Sequence, residues 1–226
     1  MEEKEQDKKE LKRLEKEKKL EEKIYKIRKE TAWKKTERWV IKHLILTYYK
    51  IVYRLSCENY KELKDTEGAV IICANHVNLL DGLAIGCISK KKVCFVAKEE
   101  LYHKRFINWL FHIFDIIPVK RGEGDVKFIK NALSLLKNGE VLGIFPEGTR
   151  KGLEKGEQVH NGASYLSVNT KTPVIPVGVV GSFKPFTKVV IRYGKKMDLE
   201  KYNKDNLDDY TKDIMDNIIM LTKNTK

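Results

Sequence analysis

Hydrophobic and polar positions split this chain into an opening stretch with little pattern and a longer region where two periods alternate. Residues 1–37 are mostly Glu and Lys, with sparse apolar positions at Leu11, Leu14, Leu20, Ile24 and Ile27. These keep no heptad for more than two turns, which fits a solvated, charge-laced helix better than a long coiled coil. Val40, Leu44, Tyr48, Ile51 and Leu55 then recur at helical spacing, with Lys42, Lys50 and Arg54 off the stripe and Lys34, Lys35 and Arg38 upstream. Aromatic and basic residues around an apolar stripe suit a helix lying in the plane of a membrane surface; the period alone also fits a helix packed on a domain. Further on, short runs rich in Val and Ile predict strands at 69–74, 92–97, 141–145, 174–180 and 188–193. Helical spacing predicts helices at 103–114 (Phe106, Trp109, Leu110, Ile113), 126–138 (Val126, Ile129, Leu133, Leu136) and 207–221 (Leu207, Tyr210, Ile214, Ile218, Leu221). Asp125 can cap the second of these and Gly139 can end it.

Near-continuous apolar strands alternating with helices predict an α/β fold: a mostly parallel or mixed central sheet covered by helices on both faces. A charged N-terminal helix and an amphipathic membrane-surface helix precede it. The boundaries drawn this way are 1–37 for the charged extension, 38–56 for the interfacial helix and 57–226 for the α/β domain.

Charge narrows the partners. A net charge of +13 and a pI near 9.4 point to a polyanion, either an anionic membrane surface or nucleic acid. The basic residues are spread through the chain without a nucleic-acid motif or stacking aromatics, so no nucleic acid is expected. The cysteines at 57, 73, 87 and 94 form no CxxC pair, and three sit in apolar context, which predicts reduced, buried thiols. The histidines at 43, 76, 103, 112 and 160 show no ligand spacing, so no metal is expected. The first thirty residues hold no apolar core of a signal peptide, and no window approaches the roughly 18 apolar residues of a spanning helix. Membrane contact would then be peripheral.

The stretch CANHVNLLDG (73–82) follows a buried strand and holds a His and an Asp five apart. Within one helix they would lie about 140° apart, so they meet only if the His sits in the turn and the Asp in the first helical turn. Asn78 is a good cap for a helix starting near Leu79, which puts Asp81 where the helix dipole favours a carboxylate. A carboxylate on one imidazole nitrogen fixes the tautomer and makes the other a general base, able to deprotonate a hydroxyl that the substrate supplies. The same residues can also merely cap a turn. VLGIFPEGTRKG (141–152) places Glu147, Gly148, Thr149 and Arg150 after another strand; Gly148 permits a tight turn and Arg150 offers a planar fork for phosphate oxygens. Lys98 follows a strand end in VCFVAKEEL, and Arg121 follows the apolar IIPVK. Ligands of α/β sheets collect at the carboxyl ends of strands, and joint placement there favours a site for a phosphorylated substrate with a reactive hydroxyl.

NHVNLLD (75–81) followed by FPEGTR (145–150) resembles the glycerolipid acyltransferase family, and within it the bacterial 1-acyl-glycerol-3-phosphate acyltransferases. PVKR (118–121), VAKEEL (96–101) and TPVIPVGV (172–179) resemble further family segments, so the likeness covers about 40–220. The resemblance implies transfer of an acyl group from acyl-CoA or acyl-carrier protein to the free hydroxyl of a lysophosphatidic acid. The product is phosphatidic acid for phospholipid synthesis, and no cofactor is needed beyond the co-substrate. It implies His76 as base, Asp81 as its orienting partner, and Lys98, Arg121, Glu147, Gly148, Thr149 and Arg150 around the phosphate and glycerol. A backbone N–H near the His motif is the expected oxyanion donor. A peripheral, monotopic place on the cytoplasmic face of the cell membrane follows. The family's Phe-Lys-x-Gly-like stretch is replaced here by VHNGA (159–163), with Gly162 kept and His160 a stand-in for part of that role. Alternative acceptors are another lysophospholipid, glycerol 3-phosphate or a lyso-ornithine lipid. A different class of function is a non-enzymatic protein that binds anionic lipid or nucleic acid.

Overall fold

The computed structural model describes residues 32–119, 126–148 and 159–223. Helix α1 (Ala32–Val52) leads into strand β1 (Ser56–Glu58), the one-turn helix α2 (Lys61–Lys64) and strand β2 (Val70–Ala74). Helix α3 (Asp81–Ile88), strand β3 (Val93–Lys98), a 3-10 turn (Glu99–His103), helix α4 (Arg105–Ile113) and strand β4 (Ile117–Val119) follow. Next come α5 (Val126–Lys137), β5 (Val141–Ile144), α6 (Gly162–Thr170), β6 (Val174–Val180), β7 (Val190–Tyr193) and α7 (Leu207–Lys223).

The strands form one sheet in the order β1-β7-β6-β2-β5-β3-β4. Every neighbouring pair is parallel except β6 and β7. Five strands (β6, β2, β5, β3, β4) therefore deliver their carboxyl ends to one edge. Strand β2 lies at the centre and is buried along its whole length, which explains why its residues are apolar without alternation. Its side chains still alternate between two cores. Val70, Ile72 and Ala74 pack with α1, α2 and α3, whereas Ile71 and Cys73 pack with α5, α6 and α7. The expected α/β sheet with helices on both faces is thus present.

Several local readings shift. The helix expected at 38–56 spans Ala32–Val52, and its predicted stripe points away from the body: Val40, Leu44, Tyr48 and Ile51 are exposed. Ile41, Ile45 and Tyr49 face the protein instead, and Leu55 is buried beyond the helix end, after Arg54 turns the backbone at φ 44°. Periodicity finds two apolar faces here and cannot tell which one is covered. Helix α3 starts at Asp81 rather than near Leu79, because Asn78 closes a turn, its side chain accepting from the Leu80 amide and its carbonyl from the Asp81 amide. Strands β1 and β4 have three residues each, too short to show a run. Gly139 ends α5 as expected, at φ 73°. Asp125 and nearly all of the charged extension lie outside the described residues.

Candidate active site

Strand β2 ends at Ala74, and the next residue fastens its turn to the sheet. The Asn75 side chain donates to the Val179 carbonyl (2.9 Å) and accepts from the Val179 amide (2.7 Å), so it mimics one more rung of the β2–β6 ladder. His76 follows at once. Its Nδ1 lies 2.9 Å from Asp81 Oδ2, and that same oxygen accepts from the amides of Val77 (2.7 Å) and Asn78 (2.8 Å). Three N–H groups converging on one carboxylate oxygen fix the turn and leave Nε2 as the nitrogen able to receive a proton. Asp81 is fully buried while the His76 side chain keeps 17% exposure, so the working edge of the imidazole is open and its partner is not. Both readings of this motif find their contacts: the carboxylate meets the imidazole and also caps the turn.

Strand β5 lies beside β2, with Cys73 level with Ile144, so the residues after each strand meet at the rim. Phe145 stacks on His76, ring centroids 4.2 Å apart and 19° from parallel. Phe95 stacks on the other face of Phe145 at 5.2 Å and 18°. This three-ring column rests on Gly143, where a Cβ would come within 2.5 Å of the Phe95 ring. Beyond Phe145 the chain turns tightly, with Gly148 at φ 63° and its amide donating to the Phe145 carbonyl (2.9 Å). Glu147 is buried, and its Oε1 accepts from the His76 amide at 3.2 Å. The two motifs, 71 residues apart, are therefore joined by a stack and a hydrogen bond.

These bonds bear on the oxyanion. The amides of His76, Val77, Asn78, Leu80 and Asp81 all already have acceptors within the site. The backbone N–H expected near the His motif is thus not to be found among those five.

Lys98 ends β3 with its side chain exposed, at the same edge and two strands from β2, roughly 10 Å along the sheet. Arg121, which follows β4, lies outside the described residues, as do Thr149 and Arg150. His160 returns to the site through its backbone, its amide donating to the Pro146 carbonyl (3.1 Å). Sequence reasoning missed Asn75, Phe145 and Phe95 as site-forming residues. Asn75 sits directly before the His, but its partner Val179 is 104 residues away, and the two rings carried no signal either. Among the described residues, no group of three or more His, Cys, Asp or Glu is placed to hold a metal ion, and no helix is long and apolar enough to cross a membrane.

Known proteins resemble this chain in sequence and in fold. The profile of the family described as "Acyltransferase" matches residues 54–180. A 1-acyl-sn-glycerol-3-phosphate acyltransferase of Bacillus subtilis is 31% identical over 124 residues, 54% of this chain and 61% of that protein. The chloroplastic 1-acyl-sn-glycerol-3-phosphate acyltransferase LPAT1 of Arabidopsis thaliana is 25% identical over 134 residues, 58% of this chain and 37% of that protein. The chain thus spans between about a third and three fifths of these relatives' lengths. The crystal structure of the 1-acyl-sn-glycerophosphate acyltransferase PlsC from Thermotoga maritima superposes with a TM-score of 0.62 at 22% identity, covering 84% of this chain and 80% of that one, and shares its fold.

Proposed function

The chain belongs to the acyltransferase family, and on that premise we propose that it acylates the free hydroxyl of 1-acyl-glycerol-3-phosphate, giving phosphatidic acid. The observation that carries this reading is the His76–Asp81 contact at 2.9 Å, in a turn stacked against the second motif at the carboxyl edge of the sheet. His76 Nε2 takes the hydroxyl proton as the alcohol oxygen attacks the thioester carbonyl. The C–S bond then breaks, and the imidazolium returns the proton to the departing thiolate. No acyl-enzyme forms, because the substrate brings the nucleophile.

Lys98, Arg121, Thr149 and Arg150 hold the phosphate and glycerol, with Gly148 keeping the turn tight. A held phosphate converts the attack into a nearly intramolecular step. Glu147, which the resemblance implies at the substrate, also accepts from the His76 amide, and in this proposal it positions the base. The donor is acyl-CoA or acyl-carrier protein. The exposed stripe of α1 lies on the anionic cytoplasmic face of the cell membrane, so the protein is peripheral there, with residues 57–226 as the catalytic domain and 1–37 as an extension.

The test is turnover by the purified chain with labelled acyl-CoA or acyl-carrier protein and a panel of lysophospholipids, glycerol 3-phosphate and lyso-ornithine lipid. Lysophosphatidate is expected to be the best acceptor. The His76→Ala variant should lose about 10²–10⁴-fold in kcat while still folding cooperatively, its melting temperature lowered by the lost stack and donor but well above the assay temperature. Undiminished turnover by that variant would refute the role given to His76.

A further inference from the structure

We propose that α1, α4 and the turn between β6 and β7 form one composite docking face for an anionic lipid bilayer, beside the mouth of the catalytic turn. This deepens the membrane reading of α1 and rests on it. The apolar stripe of α1 (Trp33, Val40, Leu44, Tyr48, Ile51) is exposed, from 41% at Val40 to 79% at Trp33. Helix α4 adds two more large side chains, Phe106 at 68% and Trp109 at 38% exposure, their rings 5.7 Å apart.

The two helices present these residues side by side. Trp109 Nε1 donates to Glu37 Oε1 at 3.2 Å. Glu37 lies four residues after Trp33 and three before Val40, so it shares their face of α1. At the other end of α1, the Phe186 amide donates to the Val52 carbonyl, and Phe186 is 74% exposed. The face is also preassembled. Ile41 and Ile45 of α1 pack with Leu110 and Ile113 of α4, and Lys34 and Arg38 bind the buried carboxylate of Asp115 just after α4.

Charge selects the occupant. Helix α1 carries five basic residues and one acidic, Glu37, which already receives the Trp109 donor. Lys50, Arg54, Lys104, Arg105 and Lys184, on or beside the same three segments, are exposed, as are Glu99 and Glu100 on the 3-10 turn before α4. Exposed Trp, Tyr and Phe within a basic rim match the headgroup boundary of an anionic membrane, where rings bury their apolar bodies and cations meet phosphates. Helix α1 also touches the His76 turn, through its inward side. The Tyr49 hydroxyl of α1 donates to the Leu80 carbonyl at 3.4 Å, and Leu79, in the same turn as His76, is 51% exposed.

The experiment is flotation of the full chain with phosphatidylcholine vesicles, with and without phosphatidylglycerol. It compares wild type with Phe106→Glu, with Phe106→Ser plus Trp109→Ser, and with Leu44→Ser plus Ile51→Ser. Both α4 variants should partition about tenfold more weakly onto the anionic vesicles, with unchanged melting temperature and unchanged acylation of a short-chain, water-soluble acceptor. If they bind like wild type while the α1 variant does not, the composite face is refuted and the membrane reading of α1 stands. If vesicle binding behaves as expected but no acceptor is acylated by any form, the proposed enzymatic function fails and the docking face stands. A concentration-dependent dimer abolished by the α4 substitutions, without vesicle binding, would assign the face to a second copy. Much stronger binding after deletion of residues 1–31 would assign it to the chain's own N-terminus. Either result overturns the proposal.

Discussion

Glu147 is a carboxylate held at 4% exposure against the turn that carries His76. Burying such a group is costly unless donors meet it, and the His76 amide is one of them. Glu147→Gln keeps an acceptor oxygen at that amide, whereas Glu147→Ala leaves the amide without its side-chain partner. Steady-state kinetics should show Ala lowering kcat about 10–100-fold with little change in the acceptor KM, and Gln restoring most of the loss. A raised acceptor KM with intact kcat in both variants would instead make Glu147 a substrate contact. His76 and Asp81 were legible because they interact within five residues, where turn and cap chemistry decide the geometry. Asn75 and Phe145 were not, because the partners that define them, Val179 and His76, are brought together only by strand order.

At the level of elements, α1 shows both the reach and the limit of pattern reading. Its helical period was plain; its docking was not, since the deciding residue, Asp115, stands alone in the apolar run HIFDIIPV. The Asp115 side chain is fully buried and bound by Lys34 (2.5 Å), Lys92 (2.7 Å) and Arg38. Burial alone would push its carboxyl up, but the hydrogen bonds from Lys34 and Lys92, with the charge of Arg38, hold it below the ordinary carboxylate range. The resulting stability is present above the unfolded carboxylate value and is lost as pH falls through the lower folded one. Melting curves between about pH 3 and 7 should therefore show an acid limb that Asp115→Asn abolishes. Asparagine tolerates the residue's φ of 50°, so the backbone is spared. At neutral pH the same variant should lose about 3 kcal/mol, the low end for breaking a buried ion pair, because its cations keep 13–29% exposure. An unchanged melt would mean that Ile41, Ile45 and their neighbours alone dock the helix. The short strands β1 and β4 escaped detection for a different reason: three residues carry no period, and only neighbouring strands make them strands.

For the whole molecule, the sheet sets both protection and access. Burial pushes the Cys57 thiol up to about 11, that of Cys87 up to about 12, and that of Cys73 up as well. Mass-resolved alkylation at neutral pH should label Cys57 first and Cys73, Cys87 and Cys94 together, only on global unfolding. Early labelling of Cys73 would show β2 opening on its own. The layered α/β plan was readable because a strand covered on both sides must be apolar throughout; strand order was not, since nothing in a local run says which neighbour it will pair with. One consequence follows from the ring column over Gly143. With one face of the imidazole roofed by Phe145 and one nitrogen tied to Asp81, the base has a single doorway, and a proton that enters by it must leave by it. In the proposed reaction no residue of the chain carries the acyl group, so donor and acceptor are called to that one threshold together, and initial-rate lines at varied donor and acceptor should intersect rather than run parallel.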